Sequence, residues 1–229
     1  MPSLSHLFLS IWALFVSIVP TVSPTPIPPR QLLFSYPPSY LIKTAFIQQA
    51  PEKNWDQPWQ DSCEEAALLT VDYFYRQLAP SLKEQKQAIL KMIEYENSRG
   101  FAPDVNLLQM AQIASEYLNY QTKIIDQPIL DHILSYLVKN IPVIVPVSGK
   151  TLFQENHHFN NGGPWYHHIV ILGYDHPKGQ FIVHDVGTRF GAYYRYSYNL
   201  LLSSIHDFPP SLKKEDIARG NSRVLILLQ

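Results

Sequence analysis

The prediction of the fold begins with residues 167–188, HHIVILGYDHPKGQFIVHDVGT. Two apolar, β-branched runs flank the turn-forming segment HPKG, a pattern typical of an antiparallel β-hairpin. Counting inward from the turn places His167 and Asp185 roughly level on neighbouring strands. Because adjacent strands lie about 4.8 Å apart, a hydrogen bond between the imidazole and the carboxylate is feasible. His168 is expected to face the opposite side of the strand, so only one histidine of the pair can serve a given site.

The rest of the chain divides into a helical front half and a strand-rich back half. Capping signals and apolar periodicity predict helices over residues 62–78, 82–97, 105–119 and 128–139, and a short helix over 198–205. Short β-branched or aromatic runs predict strands at residues 41–48, 122–126, 142–147, 193–196 and 224–228, in addition to the hairpin. A helical subdomain packed beside a mostly antiparallel sheet belongs to the α+β class.

The chain contains one cysteine, Cys63, whose thiol cannot form an internal disulfide. With Asp61 as N-cap and Glu64 as its capping-box partner, Cys63 falls at the second position of the first helix. Unpaired backbone N–H groups and the helix dipole there stabilise a thiolate, as a nucleophile requires. The alternative is a small buried hydrophobic residue, and the neighbouring Glu64 and Glu65 oppose a thiolate.

A thiolate nucleophile also needs a base within hydrogen-bond reach and a third group that orients the base. The predicted hairpin supplies both groups in the pair formed by His167 and Asp185. The carboxylate would fix the tautomer of the imidazole. The residues alone therefore point to Cys63, His167 and Asp185 as a catalytic set.

Three stretches resemble a bacterial papain-like family that is similar to the bacteriocin-processing peptidases, which cleave double-glycine leader peptides. They are NWDQPWQDSCEEAALL, GGPWYHHIVILGYD and FIVHDVGTRFGAYYRYSYNLLLSSIHDF. The resemblance implies a papain-like cysteine proteinase fold, with Cys63 as nucleophile, His167 as base and Asp185 as the orienting acid. The sequence departs from the family pattern at Val186, where proline is usual, and at His184, where asparagine is common.

The same resemblance implies an oxyanion hole made by the backbone N–H of Cys63 and a glutamine that precedes it. Gln57 lies six residues before Cys63, the papain-like spacing. Gln49 occupies the position of the related peptidases' glutamine if the Trp-rich loop is an insertion, and it is the favoured candidate. Trp55 and Trp59 are candidate substrate-binding residues at the cleft entrance, with core packing as the alternative.

Composition excludes several other classes of function. The net charge is −1 and no run of Lys and Arg is present, so nucleic-acid binding is not expected. Six histidines fall within residues 157–184, but neither HExxH nor CxxC spacing occurs, so we expect no catalytic metal. No cofactor is implied. The expected partner is a peptide or protein substrate, and the expected state is a monomer.

The N-terminal region predicts export or anchoring. Residues 7–19, LFLSIWALFVSIV, carry no charge and suit a signal-peptide core, whereas residues 4–22 give a marginal membrane anchor. We therefore predict a signal peptide or anchor over residues 1–23, a Pro-rich spacer over 24–32 and a peptidase domain over 33–229. The expected location is extracytoplasmic, secreted or attached to the membrane.

The expected activity is thiol-dependent hydrolysis of peptide or isopeptide bonds through a thioester intermediate. Two alternatives remain open from the residues. A non-catalytic peptide-binding module could keep the same fold, and a cysteine acyltransferase of the transglutaminase type would use the same three residues.

Overall fold

A seven-stranded antiparallel sheet contains the hairpin on which the fold prediction rests. Its strands are β1 (Ser39–Leu41), β2 (Gln121–Asp126), β3 (Val143–Val147), β4 (His167–Asp175), β5 (Gln180–Asp185), β6 (Tyr194–Ser197) and β7 (Arg223–Leu228). The strands follow the order β2-β7-β3-β4-β5-β6, and β1 pairs with β4. The buried central strands β3, β4 and β7 are rich in Val, Ile and Leu, as expected for strands covered on both faces.

The structure, a computed structural model, describes residues 36–229, which form one compact unit. The predicted signal or anchor, the spacer and the first residues of the predicted domain lie outside the described residues. Over residues 36–229, no helix is long and apolar enough to cross a membrane.

The β4–β5 hairpin forms as predicted, with a small change of register. Asp185 lies opposite Ile169 rather than His167, and the register shifts between Ile171 and Gly173. His167 is therefore a diagonal neighbour of Asp185, two residues before Ile169 at the start of β4 and on the same face of the sheet. The turn is a short 3₁₀ helix that ends at Gly179 with a φ of 62°, a conformation that glycine adopts without strain.

The helices are α1 (Cys63–Tyr75), α2 (Leu82–Ser98), α3 (Leu107–Glu116), α4 (Leu130–Leu137), α5 (Gly149–Leu152) and α6 (Tyr198–Ser204). The four-residue α5 was not predicted. Helix α1 packs against β4, and it is buried along almost its whole length. This packing fixes the start of α1, and with it Cys63, beside the central hairpin.

The predicted strand over residues 41–48 is wrong beyond Leu41. After that residue the backbone finds partners outside a strand ladder. The amide of Gln48 donates to the side chain of Gln85 on α2, and the amide of Gln49 donates to the carbonyl of Val186. The extended segment is thus held between the helical half and the turn that follows β5.

The predicted capping box at Asp61 is also wrong. Helix α1 has Ser62 as its N-cap, and no side chain caps it. Asp61 ends a preceding 3₁₀ helix (Trp59–Asp61), and its carboxylate accepts hydrogen bonds from Gln57 and from Lys214, which is distant in the sequence. Cys63 consequently becomes the first residue of the helix rather than the second.

The capping box predicted for α2 is confirmed and yields a test of stability. The amide of Glu84 donates to Ser81 Oγ, and the Glu84 carboxylate accepts from the Ser81 amide at 2.7 Å. Replacing Ser81→Ala is expected to lower the free energy of unfolding by about 1 kcal/mol. Ser115→Ala, an exposed position within α3, is the control and should change it by less than about 0.5 kcal/mol. Urea denaturation measures both; equal effects would contradict the assigned cap.

Candidate active site

A cavity of about 630 Å³ lies between the start of α1 and the open end of the β4–β5 hairpin. Cys63 and His167 both line it, as do the turn residues 186–188 that follow β5. The exposed aromatic residues on its walls are Trp55, Trp165 and Phe190. The cavity therefore brings together the three sequence segments that carry the predicted catalytic residues.

Asp185 is fully buried and accepts hydrogen bonds from several elements. His167 Nε2 lies 2.9 Å from Asp185 Oδ1, which also accepts from the amide of Gly187 at 3.3 Å. Asp185 Oδ2 accepts from the hydroxyl of Tyr196 at 2.6 Å and from the amide nitrogen of Asn156 at 3.0 Å. Both carboxylate oxygens are thus engaged, and the carboxylate cannot turn away from the imidazole.

Sequence reasoning missed Asn156 and Tyr196. Tyr196 belongs to the run AYYRYSY, which fits strand packing equally well, and Asn156 follows the unpredicted α5. Their roles depend on contacts between residues far apart in the sequence, and no local pattern marks them.

Gly187 lets the turn after β5 approach the imidazole closely. A Cβ atom added at this position would lie 2.6 Å from Cε1 of His167 and 2.9 Å from its Nε2. Because real side chains do not tolerate such distances, a larger residue at position 187 would displace the His167 ring. The glycine of the DVGT segment is therefore required by the geometry of the site.

The thiol of Cys63 faces the buried side chains of Glu64 and His168. Its sulfur lies 3.0 Å from Glu64 Oε2 and 3.8 Å from Nδ1 of His168. Across the described residues, no hydrogen bond joins Cys63 Sγ to His167. The two adjacent histidines face opposite ways as predicted, but the one that contacts the sulfur in this conformation is His168.

Burial governs the protonation of this inward cluster. Burial first, and then the Glu64 carboxyl, raise the pKa of the Cys63 thiol well above its ordinary value. This shift opposes the one expected from a helix N-terminus alone. Burial likewise raises the pKa of Glu64 and lowers the pKa of His168. The directions for Cys63 and His168 both favour the uncharged forms, a neutral thiol and a neutral imidazole, in the free protein.

The structure separates the two glutamine candidates and the two tryptophans. Gln49 is buried and lines the cavity, with its Nε2 donating to the carbonyls of Trp59 and Gln60. Gln57 is exposed, bonds to Asp61 and is absent from the lining. Trp55 lines the cavity, whereas Trp59 is buried in the core.

Two residues that complicated the sequence interpretation, His184 and Glu65, are both buried. His184 packs edge-on against the rings of Phe46 and Tyr193, and burial lowers its pKa to about 4. It therefore stays neutral near pH 7. Glu65 is buried beside Glu96, and burial followed by this carboxyl neighbour raises its pKa.

The fold is of the papain-like α+β type. It combines an antiparallel sheet, a cysteine at the start of a buried helix and a buried His–Asp pair. A family model described as the Peptidase_C39 like family matches residues 42–208. The chain belongs to this family, which is one of cysteine peptidases. The predicted resemblance and fold class are confirmed.

A crystal structure of an inferred C39-like peptidase from Bacillus anthracis has the same fold. It aligns with a TM-score of 0.52 at 14% sequence identity, over 83% of this chain and 98% of that one. None of the curated proteins matches the sequence significantly.

The inward position of the thiol predicts its reactivity in the free protein. Labelling of Cys63 by iodoacetamide should have a pH midpoint above about 8.5, the value of an ordinary thiol. Glu64→Gln should lower the midpoint, because it removes a carboxyl group that raises the pKa of the thiol. Glu52→Gln, an exposed position paired with Lys86, is the matched control and should leave it unchanged. Mass spectrometry follows the labelling, and a wild-type midpoint below 8.5 would contradict this description.

Proposed function

We propose that this protein is a thiol-dependent hydrolase of peptide or isopeptide bonds, with Cys63 as nucleophile, His167 as base and Asp185 as the orienting acid. The observation that carries the proposal is the buried His167–Asp185 pair on the wall of the cavity that Cys63 also lines. Membership in a cysteine peptidase family supports the same reaction class.

The orientation of His167 suits it to accept a proton from a thiol. Its Nε2 is held by Asp185, so the bonded tautomer carries the proton on Nε2 and leaves the lone pair of Nδ1 free. Rotation of the Cys63 side chain about its Cα–Cβ bond would move the sulfur from Glu64 to the cavity. There it can pass its proton to Nδ1, because the ion pair that results is stabilised by Asp185 and by the helix N-terminus.

The reaction then follows from these positions. The Cys63 thiolate attacks the scissile carbonyl and forms a tetrahedral intermediate, and the imidazolium of His167 gives its proton to the leaving amine. A thioester remains on Cys63. Water then attacks the thioester while His167 takes a proton from it, and return of that proton to the sulfur restores the thiol.

The developing oxyanion needs hydrogen-bond donors near the attacked carbonyl. The backbone N–H of Cys63 opens α1 and, like the other N–H groups of a first helical turn, it has no intrahelical acceptor. Gln49 is the proposed second donor because its side chain lies on the cavity wall. Its Nε2 now donates to two backbone carbonyls, so it would have to release one of them when substrate binds.

His168 is the less suitable base although it contacts the sulfur. It is fully buried and does not line the cavity, so it cannot reach a leaving group there. Burial also lowers its pKa well below the ordinary value, which opposes formation of an imidazolium. These features favour His167 as the group that handles protons during turnover.

The walls of the cavity favour a peptide substrate. Trp55, Trp165 and Phe190 are each at least two-fifths exposed and offer apolar surface for side chains. Lys53 and Arg189 add positive charge to the same lining. These residues suit an extended segment with apolar and acidic side chains rather than a compact cofactor.

Asp185→Asn tests the proposed triad. The amide keeps the shape of the carboxylate but cannot stabilise an imidazolium, so turnover should fall by about 10²- to 10⁴-fold. Asp175→Asn, at the other end of the same hairpin and remote from the cavity, is the control and should keep wild-type turnover. Cleavage of a library of quenched fluorescent peptides measures both variants, with circular dichroism to verify folding.

The same assay separates the alternatives. Unchanged turnover of Asp185→Asn would remove this residue from the triad. Incorporation of an added amine in place of hydrolysis would indicate the acyltransferase. A folded wild-type protein that binds peptides without cleaving them would indicate the binding module.

A further inference from the structure

Directly beneath the cavity, three buried side chains bring donor atoms of different chemistry together. Cys63 Sγ lies 3.0 Å from Glu64 Oε2 and 3.8 Å from His168 Nδ1. His168 Nδ1 is 3.9 Å from Glu64 Oε1. The exposed fraction is 4% for Cys63 and 0% for the other two residues. The proposed triad uses only one of these three side chains.

These separations fit a tetrahedral metal site. With metal–ligand bonds of about 2.0 Å to nitrogen and oxygen and about 2.3 Å to sulfur, neighbouring donors in a tetrahedral zinc complex lie about 3.3 to 3.6 Å apart. One donor atom from each of the three side chains lies within 4.8 Å of the other two; the 3.0 and 3.9 Å distances run to different oxygens of Glu64, and the sulfur and Nδ1 are 3.8 Å apart. Thiolate, carboxylate and imidazole are all common zinc ligands, and small adjustments of side chains would suffice to close the site.

Neighbouring groups already orient two of the ligands. His168 Nε2 lies 3.3 Å from the hydroxyl of Tyr166, which in turn lies 3.0 Å from the carbonyl of Val105 and 3.3 Å from Asp207 Oδ1. If Tyr166 donates to either oxygen, it accepts Nε2–H from His168, and the lone pair of Nδ1 then points at Cys63 and Glu64. The amide of Val105 donates to Glu64 Oε1 and fixes that carboxyl. Supporting hydrogen bonds of this kind are typical of metal-ligating side chains.

Charge and access also fit a divalent cation. A thiolate and a carboxylate together balance the two positive charges, and the imidazole binds as a neutral ligand. Binding would release the thiol proton, and the carboxyl proton where Glu64 is protonated, to solvent. Cys63 itself lines the cavity, so an ion can enter from there and keep its remaining coordination position toward the opening.

We propose that Cys63, Glu64 and His168 form an inhibitory site for a thiophilic divalent cation such as Zn²⁺. The bound ion holds the sulfur in its inward position and away from His167, so the nucleophile cannot react until the ion leaves. The inhibitory role rests on the proposed hydrolase function, whereas binding of the ion does not. The ion has no part in the hydrolytic steps.

The adjacent histidines provide a matched pair of variants for the test. The full chain is titrated with Co²⁺, and the thiolate-to-cobalt charge-transfer absorption is recorded; Zn²⁺ binding follows by competition. Wild type and His167→Gln should bind one ion with affinities within about 3-fold of each other. His168→Gln and Glu64→Gln should each weaken binding by at least about 10-fold, since each removes one ligand. Cys63→Ser should abolish the charge-transfer band.

Two results would overturn the proposal: no thiolate–cobalt band in the wild type, or loss of binding in His167→Gln with retention in His168→Gln. The second result would mean an ordinary bridge between the nucleophile and its base. If His168→Gln does not fold, Glu64→Gln tests the same assignment of ligands, because it also removes one of them. Because the band is read without substrate, a protein that binds Co²⁺ through these ligands but hydrolyses nothing would contradict only the proposed function.

For an active enzyme, Zn²⁺ should inhibit hydrolysis reversibly, with relief by a chelator. Zn²⁺ should also protect Cys63 from iodoacetamide in His167→Gln but at least about 10-fold less well in Glu64→Gln. Equal protection in the two variants would contradict the assigned ligands.

Discussion

The buried carboxylate of Asp185 is the constraint on which the site depends. A charged group without solvent is stable only when its oxygens are fully hydrogen-bonded. Here the partners come from β4, from the turn after β5, from β6 and from the segment after α5. Each of these elements must therefore be in place before the carboxylate can be buried. The orientation of His167 is thus a property of the whole hairpin region.

The packing of α1 against β4 supplies the second half of the site. It brings Cys63 to a position from which its sulfur can face either the cavity or the buried cluster below. Because side chains alternate along a strand, the adjacent residues His167 and His168 point to opposite sides of β4. His167 faces the cavity, and His168 faces the buried cluster. Two histidines with different surroundings are therefore available to the Cys63 thiol. One is held by a carboxylate at the cavity wall, and the other is kept neutral by burial.

Much of the fold could be predicted because its signals are local. The hairpin, the α2 capping box and most strands follow from periodicity and turn residues. The predictions were wrong where residues distant in the sequence form hydrogen bonds with the predicted element. Lys214 engages the carboxylate of Asp61, which does not cap α1, and the side chain of Gln85 accepts the amide of Gln48 at the end of the expected strand.

The same distinction, between features set by local sequence and features set by contacts between distant residues, holds within the site. Cys63, His167 and Asp185 could be selected from residue type, spacing and family resemblance. The support that Asn156 and Tyr196 give to Asp185, and the effect of burial on the thiol, arise only from tertiary contacts. A helix N-terminus predicts an acidic thiol. Burial first, and then the Glu64 carboxyl, raise the pKa of the thiol and reverse that expectation in the free protein.

Trapping the covalent intermediate tests the central claim most directly. The protein is mixed with a peptide ester that it cleaves, quenched in acid within milliseconds to seconds, and analysed by intact and peptide mass spectrometry. The account predicts an acyl group on Cys63 during turnover, and neither adduct nor hydrolysis in Cys63→Ser. Hydrolysis that persists in Cys63→Ser, without any acyl adduct, would contradict the assignment of Cys63 as the nucleophile.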